Sequence, residues 1–89
     1  MRAVLTVVGK DRVGIFYRVS EICAKNNVNI ADVSQSIMQD MFCMIMLVDM
    51  SKCELPLVDF QDVMRDLGRE LGLSIRVMHE DIFNSMHRI

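Results

Sequence analysis

Apolar and polar positions alternate along this chain with two different periods. Arg2 to Val8 (RAVLTVV) is β-branched and largely apolar on both faces, the pattern of a strand well inside a sheet. From Ile15 the period changes. Ile15, Val19, Ile22 and Cys23 recur at i, i+4, i+7 and i+8 with Phe16 beside them, while Arg18, Glu21 and Lys25 lie opposite, which predicts an amphipathic helix. Asn26-Asn27 is its expected stop, because asparagine tolerates the left-handed conformation. Val28 to Met38 predicts a second strand whose alternation slips. Val28 and Ile30 set one phase and Val33 and Ile37 the other, so a β-bulge is expected near Ala31-Asp32. The polar load of this strand (Asn29, Asp32, Ser34, Gln35, Ser36) suits a sheet edge.

Gln39-Asp40 is a short polar break that predicts a hairpin. Met41 to Met50 (MFCMIMLVDM) is apolar on both faces, with Asp49 its only charge, and so should lie centrally. Pro56 fits a first helical position. Phe60, Val63, Met64, Leu67 and Leu71 then mark a second amphipathic helix that carries Gly68 at some cost and ends at Gly72. Leu73, Ile75 and Val77 alternate with Ser74, Arg76 and Met78 as a half-exposed fourth strand. Ile82, Phe83, Met86 and Ile89 share one face of a short terminal helix expected to pack on the body or on a partner.

The order is βαββαβ. The two most apolar strands are the first and third, which an α+β ferredoxin-like fold places at the centre of a four-stranded antiparallel sheet. Right-handed crossovers put both helices on one face. The other face is then left with apolar residues on two strands, and a bare apolar face marks an interface, so a homo-oligomer of two or more copies is expected. Residues 1–79 are read as this domain and residues 80–89 as a C-terminal helical extension.

Composition narrows the function. The chain has 89 residues, 52% hydrophobic and 25% charged, enough for one small core and against disorder. A net charge of −2 argues against nucleic acid or an acidic membrane as partner. No apolar run approaches the roughly 20 residues that span a bilayer, and residues 3–8 are too short for a signal-peptide core, so a cytoplasmic location is the expectation. Cys23, Cys43 and Cys53 have no close spacing and read as small thiols rather than ligands or disulfide halves. Cys53, in a loop, is the more reactive candidate and mid-strand Cys43 the more inert. The methionines read as adaptable packing, and His79 and His87 fall in different elements, so neither cofactor nor metal is expected.

The candidate site is the bend between the first strand and first helix, Gly9-Lys10-Asp11-Arg12-Val13-Gly14-Ile15. Backbone N–H groups at a helix N-terminus suit an anion. Asp11 is the natural N-cap, and on the residues alone a tight turn is the simpler reading of the two glycines. Ile15-Phe16 stands where a phosphate loop needs Lys-Ser/Thr, which rules that loop out. Metal chaperones of this fold need Cys-x-x-Cys in the first turn, and RNA-recognition motifs need more aromatics than Phe42.

Leu5 to Phe16 (LTVVGKDRVGIF), a helix, then Asn27 to Asp32 (NVNIAD), resembles the ACT domain, the small ligand-binding module of amino-acid metabolism. Its pattern, roughly Asp-Arg-Pro-Gly, helix, Asn-Ile, is matched by Asp11, Arg12, Gly14, Asn29 and Ile30, with Val13 in place of the common proline. The chain is most similar to single-domain bacterial and archaeal members, and also to the ACT half of the glycine-cleavage transcriptional repressor. The resemblance implies a non-catalytic regulatory module that binds an amino acid or similar small effector between two subunits. It places Asp11, Arg12, Val13, Gly14 and Ile15 of one chain around the ligand, with Asn29 and Ile30 of the neighbour opposite. Amides from Val13 to Ile15 would hold a carboxylate, and Asp11 or Asn29 could accept from an ammonium group. Two alternatives stay open: a small acylphosphatase-like phosphate hydrolase, in which Lys10, Arg12 and the amides hold phosphate, and a pure interaction module that tunes a partner enzyme or regulator.

Overall fold

A computed structural model describes residues 1–86. The elements are β1 (Arg2–Lys10), α1 (Ile15–Lys25), β2 (Asn29–Met38), β3 (Met41–Asp49), α2 (Leu57–Leu71), β4 (Leu73–His79) and α3 (Glu80–Met86). The sheet order is β2-β3-β1-β4, antiparallel throughout, the ferredoxin-like arrangement expected from the pattern. The expected bulge is present: the β2–β3 register shifts between Ile30 and Asp32. It leaves Ile30 opposite Val48 and Val33 opposite Met46, so both pack against the core despite their opposite phases in sequence.

That core lies between one sheet face and the two long helices. Ala3, Leu5 and Val7 of β1 meet Phe42, Met44, Met46 and Val48 of β3, closed over by Val19 and Cys23 of α1 and Phe60 and Met64 of α2. Full burial of each such side chain contributes roughly 1.5–3 kcal/mol. Burial also pushes the Cys23 thiol up to about 11, with the charge of Cys53 adding to the rise.

Two glycines act differently from their sequence reading. Gly9 belongs to β1, not to the bend, paired with Phe42 and Leu73. A Cβ on it would stand 2.5 Å from a Leu73 methyl, so glycine there serves the close packing of β1 on β4. Gly68 lets α2 approach β4, since a Cβ would stand 2.6 Å from the Leu73 carbonyl oxygen. At the front of α2, Pro56 is the N-cap, one position before the helical start expected of it.

The opposite sheet face carries Thr6 and Val8 of β1 and Met41, Cys43, Ile45 and Leu47 of β3, by strand alternation and register. Helix α3 contacts β1 and β4, and the Arg2 side chain meets Glu80 at 2.7 Å. Val4 is accordingly buried at 5% exposure, whereas Val8 and Ile45 stay 43% and 48% exposed. The terminal helix thus covers one end of this face and not the rest. Of its expected apolar face only Phe83 is half-buried; Ile82 and Met86 are exposed, because a seven-residue helix docks through little more than one turn. Ile89 and His87 lie outside the described residues.

Gly68→Ala tests the close approach. An exposed helical glycine gains about 1 kcal/mol on such a change. Here chemical denaturation should show a loss of about 1–3 kcal/mol, because the methyl meets backbone. The Cys23 thiol predicts a pH effect with a definite sign. Its folded-state value is raised, so the stabilisation is complete below the ordinary 9.0 and fades as pH climbs toward about 11. The alkaline fall in unfolding midpoint should be smaller in Cys23→Ala.

Candidate functional site

Four residues, Asp11 to Gly14, separate Lys10, the end of β1, from Ile15, the start of α1. Gly14, not Asp11, is the N-cap residue of α1, at φ 88° in the left-handed region. The reason is local: the helix begins too late for Asp11 to reach its first amides. No side chain caps α1 and no acidic residue lies in its first turn. The first helical bond runs from the Arg18 N–H to the Gly14 carbonyl at 3.0 Å, so the amides of Ile15, Phe16 and Tyr17 are left without a partner among the described residues.

Tertiary contacts hold the bend on both sides. The Asp11 N–H donates to the Asp40 carbonyl at 2.7 Å, tying the bend to the β2–β3 hairpin. The Arg12 guanidinium donates to the Leu71 carbonyl at 3.3 Å, at the C-terminal end of α2 where a cation is favoured. Arg18 pairs with Glu70 close by. Val13 is 101% exposed, and Phe16 and Tyr17 are exposed beside it. Ile15 turns inward at 2% exposure, so it offers the site its backbone and not its side chain.

Asn29 and Ile30 lie at the other end of the sheet. Asn29 opposes Asp49, which opposes Arg2. At about 3.3 Å per residue, the eight steps of β1 set this end about 26 Å from Lys10. One copy of the chain therefore does not bring the two halves of the candidate site together. Ile30 packs against the core. Asn29 is exposed and lines a cavity of about 340 Å³ with Ala24, Asn27, Asp49, Ser51 and Lys52. Asp49 and Lys52 were not candidates from the sequence. The available signal was Asp49 as the one charge in an apolar strand.

The sheet edges differ. Helix α2 lies along β4, and the Gln61 side chain donates to the Val77 carbonyl at 2.8 Å. Nothing comparable screens β2, which α1 barely touches and whose side chains from Ser34 to Met38 are all exposed. β2 is thus the edge left open to pairing.

The family model for the ACT domain matches residues 2–78. The chain belongs to the ACT domain family. It is 51% identical to the UPF0237 protein of Clostridium perfringens over 89 residues, the full length of both. Among solved structures, an ACT domain protein from Streptococcus pneumoniae is 32% identical, with a TM-score of 0.82 over 93% of each chain. A candidate glycine cleavage system transcriptional repressor superposes with a TM-score of 0.73 at 24% identity, over 89% of this chain and 47% of that one, which is a likeness of fold. ACT domains are typically modules for small effectors. No helix among the described residues is long and apolar enough to cross a membrane.

Gly14→Ala tests the left-handed N-cap. A Cβ there meets nothing within 4 Å, so the cost is backbone strain alone, about 1–2 kcal/mol by chemical denaturation.

Proposed function

We propose that this ACT domain is a non-catalytic regulatory module that binds a small effector, an amino acid or a molecule of similar size, at the seam between two copies. The observation that carries the reading is the uncapped, glycine-led N-terminus of α1 with apolar Val13 fully exposed beside it. Its unpartnered amides and helix dipole suit a carboxylate. Asp11, Arg12, Val13, Gly14 and Ile15 form one half of the site, and Asn29 and Ile30 of a second copy form the other. Arg12 acts by holding the bend on α2, and Ile15 and Ile30 act through backbone and packing.

The 26 Å between the halves is consistent with two copies. Two β2 edges paired antiparallel about a two-fold axis lay the Asn29 end of each beside the β2–β3 hairpin of the other. That hairpin is the one to which Asp11 is tied. The bare stretch of sheet around Ile45 supplies further surface for assembly. The engagement of Arg12 with α2 speaks against a phosphate hydrolase, which needs that cation free.

A thermal-shift panel of the common amino acids tests the reading. A ligand bound only to the folded state adds about 2.7 kcal/mol at 100 times its dissociation constant. At least one amino acid should raise the melting temperature, and Gly14→Val and Asn29→Ala should each abolish that rise. An unchanged response in both would remove the site, and acyl-phosphate turnover lost in Arg12→Ala would favour the hydrolase. Sedimentation at micromolar concentration should give a dimer or larger species, shifted toward monomer by Ile45→Lys; monomer alone in the unsubstituted chain would contradict the assembly.

A further inference from the structure

Helix α3 carries apolar side chains on two sides. Phe83 is half-buried, on the side that α3 gives to β1 and β4. Ile82 and Met86, at i and i+4, form a second stripe, and each is more than half exposed. A helix apolar on two sides is suited to lie between two surfaces. The body of the chain supplies one of them, and the Arg2–Glu80 ion pair holds α3 there.

The same sheet face has an apolar stretch that matches the second stripe. Val4 is buried under α3, while Val8, further along β1, and Ile45, which opposes Thr6 on β3, are exposed. Val4 and Val8 are about 13 Å apart at 3.3 Å per residue, and a helix with its side chains is about 10–12 Å across. One helix covers the Val4 end, and the Val8 end has room for one more.

Charge follows the same division. Asp32 and Asp49, the acids of this face, lie in the rows of Val4 and Arg2, at the covered end. Arg76 opposes Thr6, and Lys10 ends β1 beyond Val8, so cations border the bare end. Neither cation is in an ion pair among the described residues. Helix α3 begins with Glu80 and Asp81 and has no basic residue in its last turn. The Asp81 carboxylate is largely exposed, and its one ionic contact among the described residues is His79 Nδ1 at 3.7 Å. An acidic, apolar helix therefore matches a basic-bordered, apolar stretch of sheet, and one chain carries both.

We propose that the stretch around Val8 and Ile45 is the docking site for α3 of a second copy. Ile82 and Met86 seat on the apolar stretch, and Asp81 lies among the cations that border it. A two-fold axis across the strands at Thr6, midway between Val4 and Val8, carries the covered end of one sheet onto the bare end of the other. Each copy then gives one helix and receives one, as an isologous contact requires. The proposal rests on the reading that two copies assemble, and it names the element that fills the face. It is separate from the pairing of β2 edges, which uses no residue of α3.

Sedimentation of the full chain tests it. Ile82→Glu and Met86→Glu on the helix and Ile45→Lys on the sheet all alter exposed positions, so circular dichroism should show the fold kept. Each should shift the sedimenting species to a smaller one, with the dissociation constant of that step raised at least about tenfold, because the contact would bury an unpaired charge. Ile82→Glu and Ile45→Lys mixed in equal amounts should associate again. One contact of the mixed pair sets the new carboxylate against the new ammonium group, and the other keeps both isoleucines; native mass spectrometry reads that pair directly. Undiminished association in both helix variants, with Ile45→Lys still disruptive, overturns the docking of α3 and leaves assembly upheld. Undiminished association in Ile45→Lys, or a mixture no more associated than its components, overturns it too. Monomer alone in the unsubstituted chain overturns both the docking and the assembly.

Discussion

A single sheet with both long helices on one side governs this molecule. Strands β1 and β3 carry apolar side chains on both faces, and α1 and α2 cover one of them. The remaining face is sheltered by α3 at one end, over Val4, and left bare around Val8 and Ile45. An 89-residue chain has too little substance to cover both faces of its own sheet. The same shortage leaves the β2 edge without a helix against it. The bare face and the open edge are the observations on which the proposed assembly rests.

The candidate site follows from that geometry. Antiparallel strands send the two stretches that match the ACT pattern, the bend and the start of β2, to opposite ends of the sheet. Within one copy they are separate features: an uncapped helix N-terminus, and a polar cavity with one charge of each sign. The two differ in chemistry, backbone amides at the first and side-chain charges at the second. A two-fold operation that pairs open edges reverses the strand direction between copies, and so brings unlike ends together. In the proposed assembly, a ligand bridging two copies would favour whichever arrangement places both halves in reach, which would couple effector binding to assembly.

Several readings from the residues held because their causes are local or periodic. The bulge near Ala31-Asp32 was legible as a phase slip, and the stops at Asn27 and Gly72 as residues suited to left-handed backbone, which both adopt. Others failed where the cause lies far along the chain. Gly9 looked like part of a turn, yet it is a strand glycine required by Leu73, 64 positions away. The bond from the Arg12 guanidinium to the Leu71 carbonyl at the end of α2 had no signal in the residues around the bend. Asp11 looked like a cap, yet its role is a backbone bond to Asp40.

The sequence by itself determined the order of elements, the central position of the two most apolar strands, the uncovered face and the membership of the bend and Asn29 in one pattern. These depend on periodicity and on short-range chemistry, which a linear string records. Only the tertiary structure decided that β4 is the screened edge and β2 the open one, that Arg12 belongs to α2, and that Asp49 and Lys52 share a cavity with Asn29. Those facts depend on which distant residues come to lie side by side, and register and helix packing set that only once the chain has folded.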